Sequence, residues 1–389
     1  KSTLETLPAD AKPYTYYLQL SADASEEIMN TSGYSIYRGS SKYTAYRDLF
    51  LGKPESGDAY EEEIILARDY NQALNILHNA TFFTIGNYGN QSMTRKMACS
   101  YLMADGTRYT DQEGWQTKSF KDETKNRDPR MEQSIRIPGY KRIDGTEELA
   151  PNFTQVITGY QPIKYMLGLN ADCDRYSVSY QDLHIYRYAE ILLNYAEAKA
   201  ELGELTDAEW AKTVGAIRAR AGIVGGIDKL PTVVDPYMQQ TFYPDVTDAV
   251  IMEIRRERAI ELYFEGLRLN DLRRWKAGSL IKTLPWTGIH IPALDTPIDV
   301  NGDGAYDYYF SEKAAEGSYK NITIPVNVDA TKDGLWAVAN PAGGYDLEYR
   351  VVDQRVWYEN DRQYLYPVPA KVIRDYEAEG YTLSQNKGW

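Results

Sequence analysis

Four glutamates, Glu253, Glu257, Glu261 and Glu265, recur every fourth residue in the segment 251–275, IMEIRRERAIELYFEGLRLNDLRRW. On a helix that spacing sets like charges one above the next. The repulsion costs roughly 0.2–0.5 kcal/mol per pair unless cations answer it, so the fold must bring positive charge to this face. Arg255, Arg256, Arg258, Arg268, Arg273 and Arg274 lie in the same segment and are expected to supply it. The expectation is a structural network of ion pairs between helices. An acid-pair active site would need a carboxylate with a raised pKa in a cleft, and acids matched by arginines argue against one.

The surrounding stretch, 184–275, predicts a rigid helical platform. Ile185, Tyr188, Leu192, Tyr195 and Ala196 recur at helical spacing, and Gly203 ends the pattern. Residues 205–222 predict a second helix, capped by Thr206 or Asp207, with Trp210, Val214 and Ile217 as its apolar stripe and Gly222 at its end. Two helices joined by a short turn make a tetratricopeptide-type hairpin, which needs stacked neighbours to bury its apolar face. Residues 10–33 predict another helix, with Tyr17, Leu18, Ala22 and Ile28 facing inward, and 94–103 a shorter one. Residues 62–70 read as a short strand or buried segment, and 131–137 and 155–160 as strand-like pieces. Asp128-Pro129-Arg130 reads as a fold-defining turn with an Arg/Asp pair.

The 389 residues contain no Gly/Ser- or Pro-rich linker. The reading is therefore one domain, 1–389, with a helical segment 1–78, a loop-rich ligand-facing region 79–183, the platform 184–275 and a loop-rich region 276–389. The fold class is mainly α: a tetratricopeptide-like helical-hairpin scaffold with long irregular excursions and a few short strands. A net charge of -13 argues against nucleic acid, which needs a basic footprint. Cys99 and Cys173 can pair or stay free, and their spacing excludes a zinc cluster. His78, His184 and His290 show no metal spacing. No catalytic elbow, P-loop or dinucleotide fingerprint occurs in the right context.

One loop resembles a metal site. Asp299, Asn301 and Asp303 fall at the first, third and fifth positions of an oxygen-ligand loop, with Asp307 at the ninth. Phe310 stands at the twelfth, where a bidentate Glu belongs. The alternatives are a structural calcium ion completed from elsewhere and a plain Asp/Gly turn. No other cofactor is expected.

Several segments, in order, resemble the SusD/RagB family of nutrient-binding outer-membrane lipoproteins: 62–71 (EEIILARDYN), 126–131 (NRDPRM), 187–198 (RYAEILLNYAEA), 217–222 (IRARAG), 253–275, 365–370 (LYPVPA) and 385–389 (QNKGW). The resemblance covers nearly the whole chain. It implies a non-catalytic protein at the cell surface that binds an oligosaccharide or polysaccharide and delivers it to a SusC-like TonB-dependent transporter. The alternatives are a peptide ligand on the same scaffold and, from another class, a glycoside hydrolase. The resemblance also implies an N-terminal lipid anchor and an N-terminal helical portion ahead of the residues present here, so the chain is expected to be the C-terminal two-thirds of a longer protein. The chain holds 34 Tyr and 7 Trp against 8 Phe, and such rings suit wet ligand platforms. The expected platforms are Tyr88, Tyr109, Trp115 and Trp286, with Asn90 as a polar partner.

Overall fold

Tyr188, Ala189, Leu192, Leu193 and Ala196 are buried along one helix, at the spacing that keeps them on a single face. That helix is the centre of a platform of six: α1 Tyr14–Thr31, α2 Tyr188–Glu201, α3 Asp207–Lys212, α4 Val214–Ala221, α5 Ala249–Glu261 and α6 Arg268–Arg274. The computed structural model describes residues 12–52, 62–85, 91–282, 286–329, 331–352, 357, 361–386 and 388–389. Helix α2 packs against α1 and α5 and turns back through α3 and α4, the helical hairpin that its sequence predicts.

Local detail departs from the sequence reading in six places, one of them 155–160, where turns and a single bridge from Tyr160 to Met93 replace the expected strand-like piece. The first helix buries Ala22 and Ser25, with Leu18 and Met29 packed alongside, but Tyr17 is 57% exposed because it stands one position off that stripe. Ile185 is outside α2. It lies in β2 (Leu183–Arg187), which pairs antiparallel with β1 (Ile64–Arg68). The second predicted helix is two: Thr213 breaks it at φ -112° and ψ -96°, and its hydroxyl donates to the Glu209 carbonyl at 2.7 Å. Thr206 does cap α3, in a reciprocal capping box with Glu209. The helix expected over 94–103 is confined to Arg95–Ser100, with the Thr94 hydroxyl as its cap. Finally, Arg130–Ser134 is a helix where a strand was expected, because Pro129 at φ -58° starts a helical turn instead of blocking one.

After α6 the chain forms two three-stranded sheets. Strands β3 (Trp286–Ile291), β8 (Tyr345–Arg350) and β7 (Gly334–Ala339) form an antiparallel one in that order. Strands β4 (Pro297–Ile298), β5 (Tyr308–Ser311) and β6 (Lys320–Thr323) form a mixed one. Their inner residues, among them Ile289, Phe310 and Leu347, close a core with Tyr101, Phe120 and Met131.

The glutamate row is answered mainly from outside its own segment. Glu253 meets Arg218 at 2.7 Å and Arg256 at 3.0 Å. Glu257 meets Arg130 at 2.5 Å and Arg218 at 2.8 Å. Glu261 takes Arg187 at 2.6 Å, Arg130 at 2.9 Å and Arg220. Glu265 takes Lys164 at 2.7 Å and Arg187 at 2.8 Å. Of the six arginines expected to serve, Arg256 alone meets the row among the described residues. Arg258 and Arg274 bind Asp271 instead. Burial pushes Glu261 up, but Arg220, Arg187 and Arg130 outweigh it and hold its carboxyl well below the usual range. The Asp128–Arg130 pair forms at 2.7 Å, fully buried, and ties into the same network. Cys99 and Cys173 are both buried, and no disulfide joins them.

Candidate ligand-binding groove

Strand β3 opens with Trp286, which stands directly opposite Tyr349 of β8. Residues so paired project to the same side of a sheet, and here the two rings stack with centroids 5.8 Å apart and planes 12° from parallel. The half-buried indole borders two cavities. One, of about 640 Å³, is walled by Lys96, Met97, Phe242, Leu262, Phe264 and Arg268, among others. The second, of about 530 Å³, includes Ile157, Thr158, Tyr349 and Val351. Ser92, Thr94 and Trp286 line both, so the two form one groove with the indole as its ridge. Phe264 lies at φ +67°, a strained position for a bulky side chain. It is held there against Tyr263, stacked at 5.6 Å, and Tyr165 at 6.2 Å. Asp271 also lines the wall, but Arg258 and Arg274 bind it at 2.8 and 2.9 Å.

The expected platforms separate. Trp286 lies on the groove. Tyr109 does not: it is 1% exposed, its ring is covered by the Arg127 guanidinium at 3.8 Å, and its hydroxyl donates to the Trp115 carbonyl at 3.0 Å. Trp115 is half-buried, edge-on to Tyr109 and Tyr237. These two therefore touch each other and are absent from the groove wall. Tyr88 and Asn90 lie outside the described residues.

A model of the SusD family matches residues 65–389. The chain belongs to the SusD family. Among solved structures it resembles a SusD-like protein from Bacteroides fragilis, with 22% identity and a TM-score of 0.54 over 96% of this chain and 63% of that one. It also resembles a SusD-like carbohydrate binding protein from the same species, with 21% identity and a TM-score of 0.52 over 75% of this chain and 55% of that one. At these identities the likeness is one of fold, and the chain spans less than two-thirds of either relative's length. No curated protein matches the chain.

In this SusD-family chain the groove uses residues that sequence reasoning did not place at a ligand site: Tyr349, Phe242, Phe264 and Lys96, together with Arg268, which was expected to answer the glutamate row instead. The alternation of Tyr345, Leu347 and Tyr349 is a period-two signal that could have revealed β8 and with it the ring behind Trp286.

The loop 299–307 turns its oxygens inward. Asp299 accepts from the Gly302 and Gly304 amides at 2.6 and 3.1 Å, and Asp307 from those of Val300 and Asn301 at 2.7 and 3.1 Å. Asn301 donates to Asp303 at 3.0 Å. The Ala305 amide and the Asn301 side chain favour ionised Asp303, and Lys121, whose side chain passes over Gly302, adds a smaller push the same way. Phe310, at the position of the missing Glu, is in the core. Among the described residues no three or more His, Cys, Asp or Glu side chains are grouped as a metal site.

Proposed function

We propose that this SusD-family chain binds an oligosaccharide or polysaccharide without cleaving it, laying a sugar ring against Trp286 in the groove. The observation that carries this reading is the stacked indole standing between two cavities. Tyr349 fixes the plane of that indole, so little freedom is lost when a sugar packs on it. One such contact is worth about 1 kcal/mol beyond area burial, so useful affinity needs several contacts or several copies acting together. A solved relative described as a SusD-like carbohydrate binding protein supports the reading. Hydrolysis would need two free carboxylates across the groove. Asp271 is the one carboxylate on the described walls, and two arginines occupy it. Basic peptides, the other ligand class, would meet Lys96 and Arg268 there. Delivery to a SusC-like TonB-dependent transporter at the outer-membrane surface, with attachment through an N-terminal lipid, completes the proposal. Among the described residues no helix is long and apolar enough to cross a membrane.

Affinity electrophoresis through gels loaded with a panel of polysaccharides tests the reading. Retardation of the wild type by one glycan, without new reducing ends and lost in Trp286→Ala, is expected. Retardation that survives Trp286→Ala, or that comes with cleavage, overturns it.

A calcium ion at 299–307 is a separate proposal. Burial pushes Asp307 up, and the nearby charges of Asp303 and Asp299 add to the push. A divalent cation would relieve that crowding, in competition with Lys121. Calorimetry on a demetallated sample, with a dissociation constant of about 10⁻⁴–10⁻³ M as for extracellular calcium modules, would support the site. No heat would end the idea.

A further inference from the structure

The platform matches its buried arginines to carboxylates: Arg130, Arg187, Arg218 and Arg220 each hold at least two. Two cations on the groove wall break that pattern. Lys96 is half-buried and forms no ion pair among the described residues. The carboxylate whose charge reaches it, Glu348, is bound to Arg350 at 2.8 Å. Arg268 donates to the Tyr243 hydroxyl at 2.9 Å and lies over the rings of Tyr243 and Trp275, with no carboxylate partner among the described residues. Asp271, the carboxylate beside them, is already neutralised by Arg258 and Arg274. The wall therefore presents positive charge in a chain whose net charge is -13.

We propose that the groove selects acidic glycans, bearing uronate carboxylates or sulfate esters, with the acid group at Lys96 and Arg268 while a sugar ring packs on Trp286. The inference rests on the glycan-binding reading above and adds its ligand class. Two independent features support it. Burial pushes the Lys96 ammonium down, with Glu348 opposing, so the site holds a cation at a cost that a bound anion would remove. The guanidinium of Arg268 offers donors suited to a carboxylate or sulfate, in charge-assisted hydrogen bonds. A neutral glycan would cover these cations and leave them unpaired. Selectivity of this kind comes from buried polar groups that the wrong ligand leaves unmatched.

The test begins with an array carrying uronate-bearing, sulfated and neutral glycans. An acidic hit is then compared by calorimetry with its carboxyl-reduced or desulfated form, against the wild type, Lys96→Met, Arg268→Gln and Trp286→Ala. The expected result is hits confined to acidic glycans and an affinity at least about tenfold lower once the acid group is removed, in line with one lost charge-assisted bond. That preference should weaken in both Lys96→Met and Arg268→Gln, and weaken as salt rises; a preference unchanged in both variants overturns the inference. Carboxyl reduction and desulfation tell the two acid chemistries apart. Hits among neutral glycans alone, or acidic hits indifferent to loss of the acid group, overturn the inference. In either case, binding still abolished by Trp286→Ala would leave the groove itself standing. Binding untouched by Trp286→Ala would remove the groove and the inference together.

Discussion

Arg187 holds Glu261 at two points: its Nη1 donates to Oε1 at 2.6 Å and its Nη2 to the Glu261 backbone carbonyl at 2.7 Å. One residue ends β2 and the other ends α5, so the pair fastens the central hairpin to the acidic helix. Arg187 also reaches Glu63 at 2.8 Å and Glu265 at 2.8 Å. Removing it leaves three buried carboxylates short of a partner. Breaking a buried pair from one side costs about 3–5 kcal/mol, so Arg187→Met is expected to lower the urea unfolding free energy by that amount. A loss under about 1 kcal/mol, the range of an exposed pair, would mean that the neighbouring arginines redistribute to cover it.

The same network sets the response to acid. Burial raises Glu253, Glu261 and Glu265, but their cationic partners outweigh it and leave all three below the ordinary value of 4.5. A carboxylate depressed in the folded state gives stability that is complete above its unfolded pKa and is lost as pH falls through the folded one. Glu63 has the opposite sign, since burial leaves it raised despite Arg220 and Arg187. With three groups against one, the urea midpoint should fall steadily as the pH drops below about 4.5. Glu261→Gln should flatten that fall as well as lower the starting stability. A midpoint constant from pH 5 to pH 3 would contradict the assignment.

What could be read from sequence was local. The helix cap at Thr206 or Asp207, the apolar face of α2 and the Asp128–Arg130 turn all depend on residues a few positions apart. The glutamate row announced that cations were needed but could not say which, because Arg130, Lys164 and Arg187 arrive by tertiary packing. Trp286 was legible as a ring in an irregular stretch, whereas its stacking partner Tyr349 depends on strand register. Tyr109 misled for the same reason. The guanidinium that covers it belongs to another turn.

That contrast separates two variants. Tyr109→Ala removes a buried ring from under Arg127 and should cost about 3–5 kcal/mol. Its folded fraction should bind glycan as the wild type does. Trp286→Ala removes a half-buried ring whose cross-strand pairing is worth about 1 kcal/mol, and should keep the fold while losing the ligand. Thermal melts and gel retardation run on the same two samples decide the matter. Both variants losing binding with unchanged melts would put Tyr109 back at the ligand surface.

Gly215 tests the break between α3 and α4. A Cβ there would lie 2.1 Å from the Ile227 carbonyl oxygen and 3.2 Å from that of Trp210. The crossing segment is held down by the Trp210 indole N–H, which donates to the Gly226 carbonyl at 3.0 Å. Backbone on both sides leaves no flexible side chain to yield, so Gly215→Ala should cost about 3 kcal/mol or more, at the upper end for overpacking. Gly203→Ala is the control. Gly203 sits at φ +75° with nothing within 4 Å of an added Cβ, so it carries only left-handed strain of about 1–2 kcal/mol. The Gly215 variant should therefore melt well below the Gly203 variant. Equal shifts would show that the 223–230 segment lifts away freely, and that the break at Thr213 has a cause other than the crossing chain.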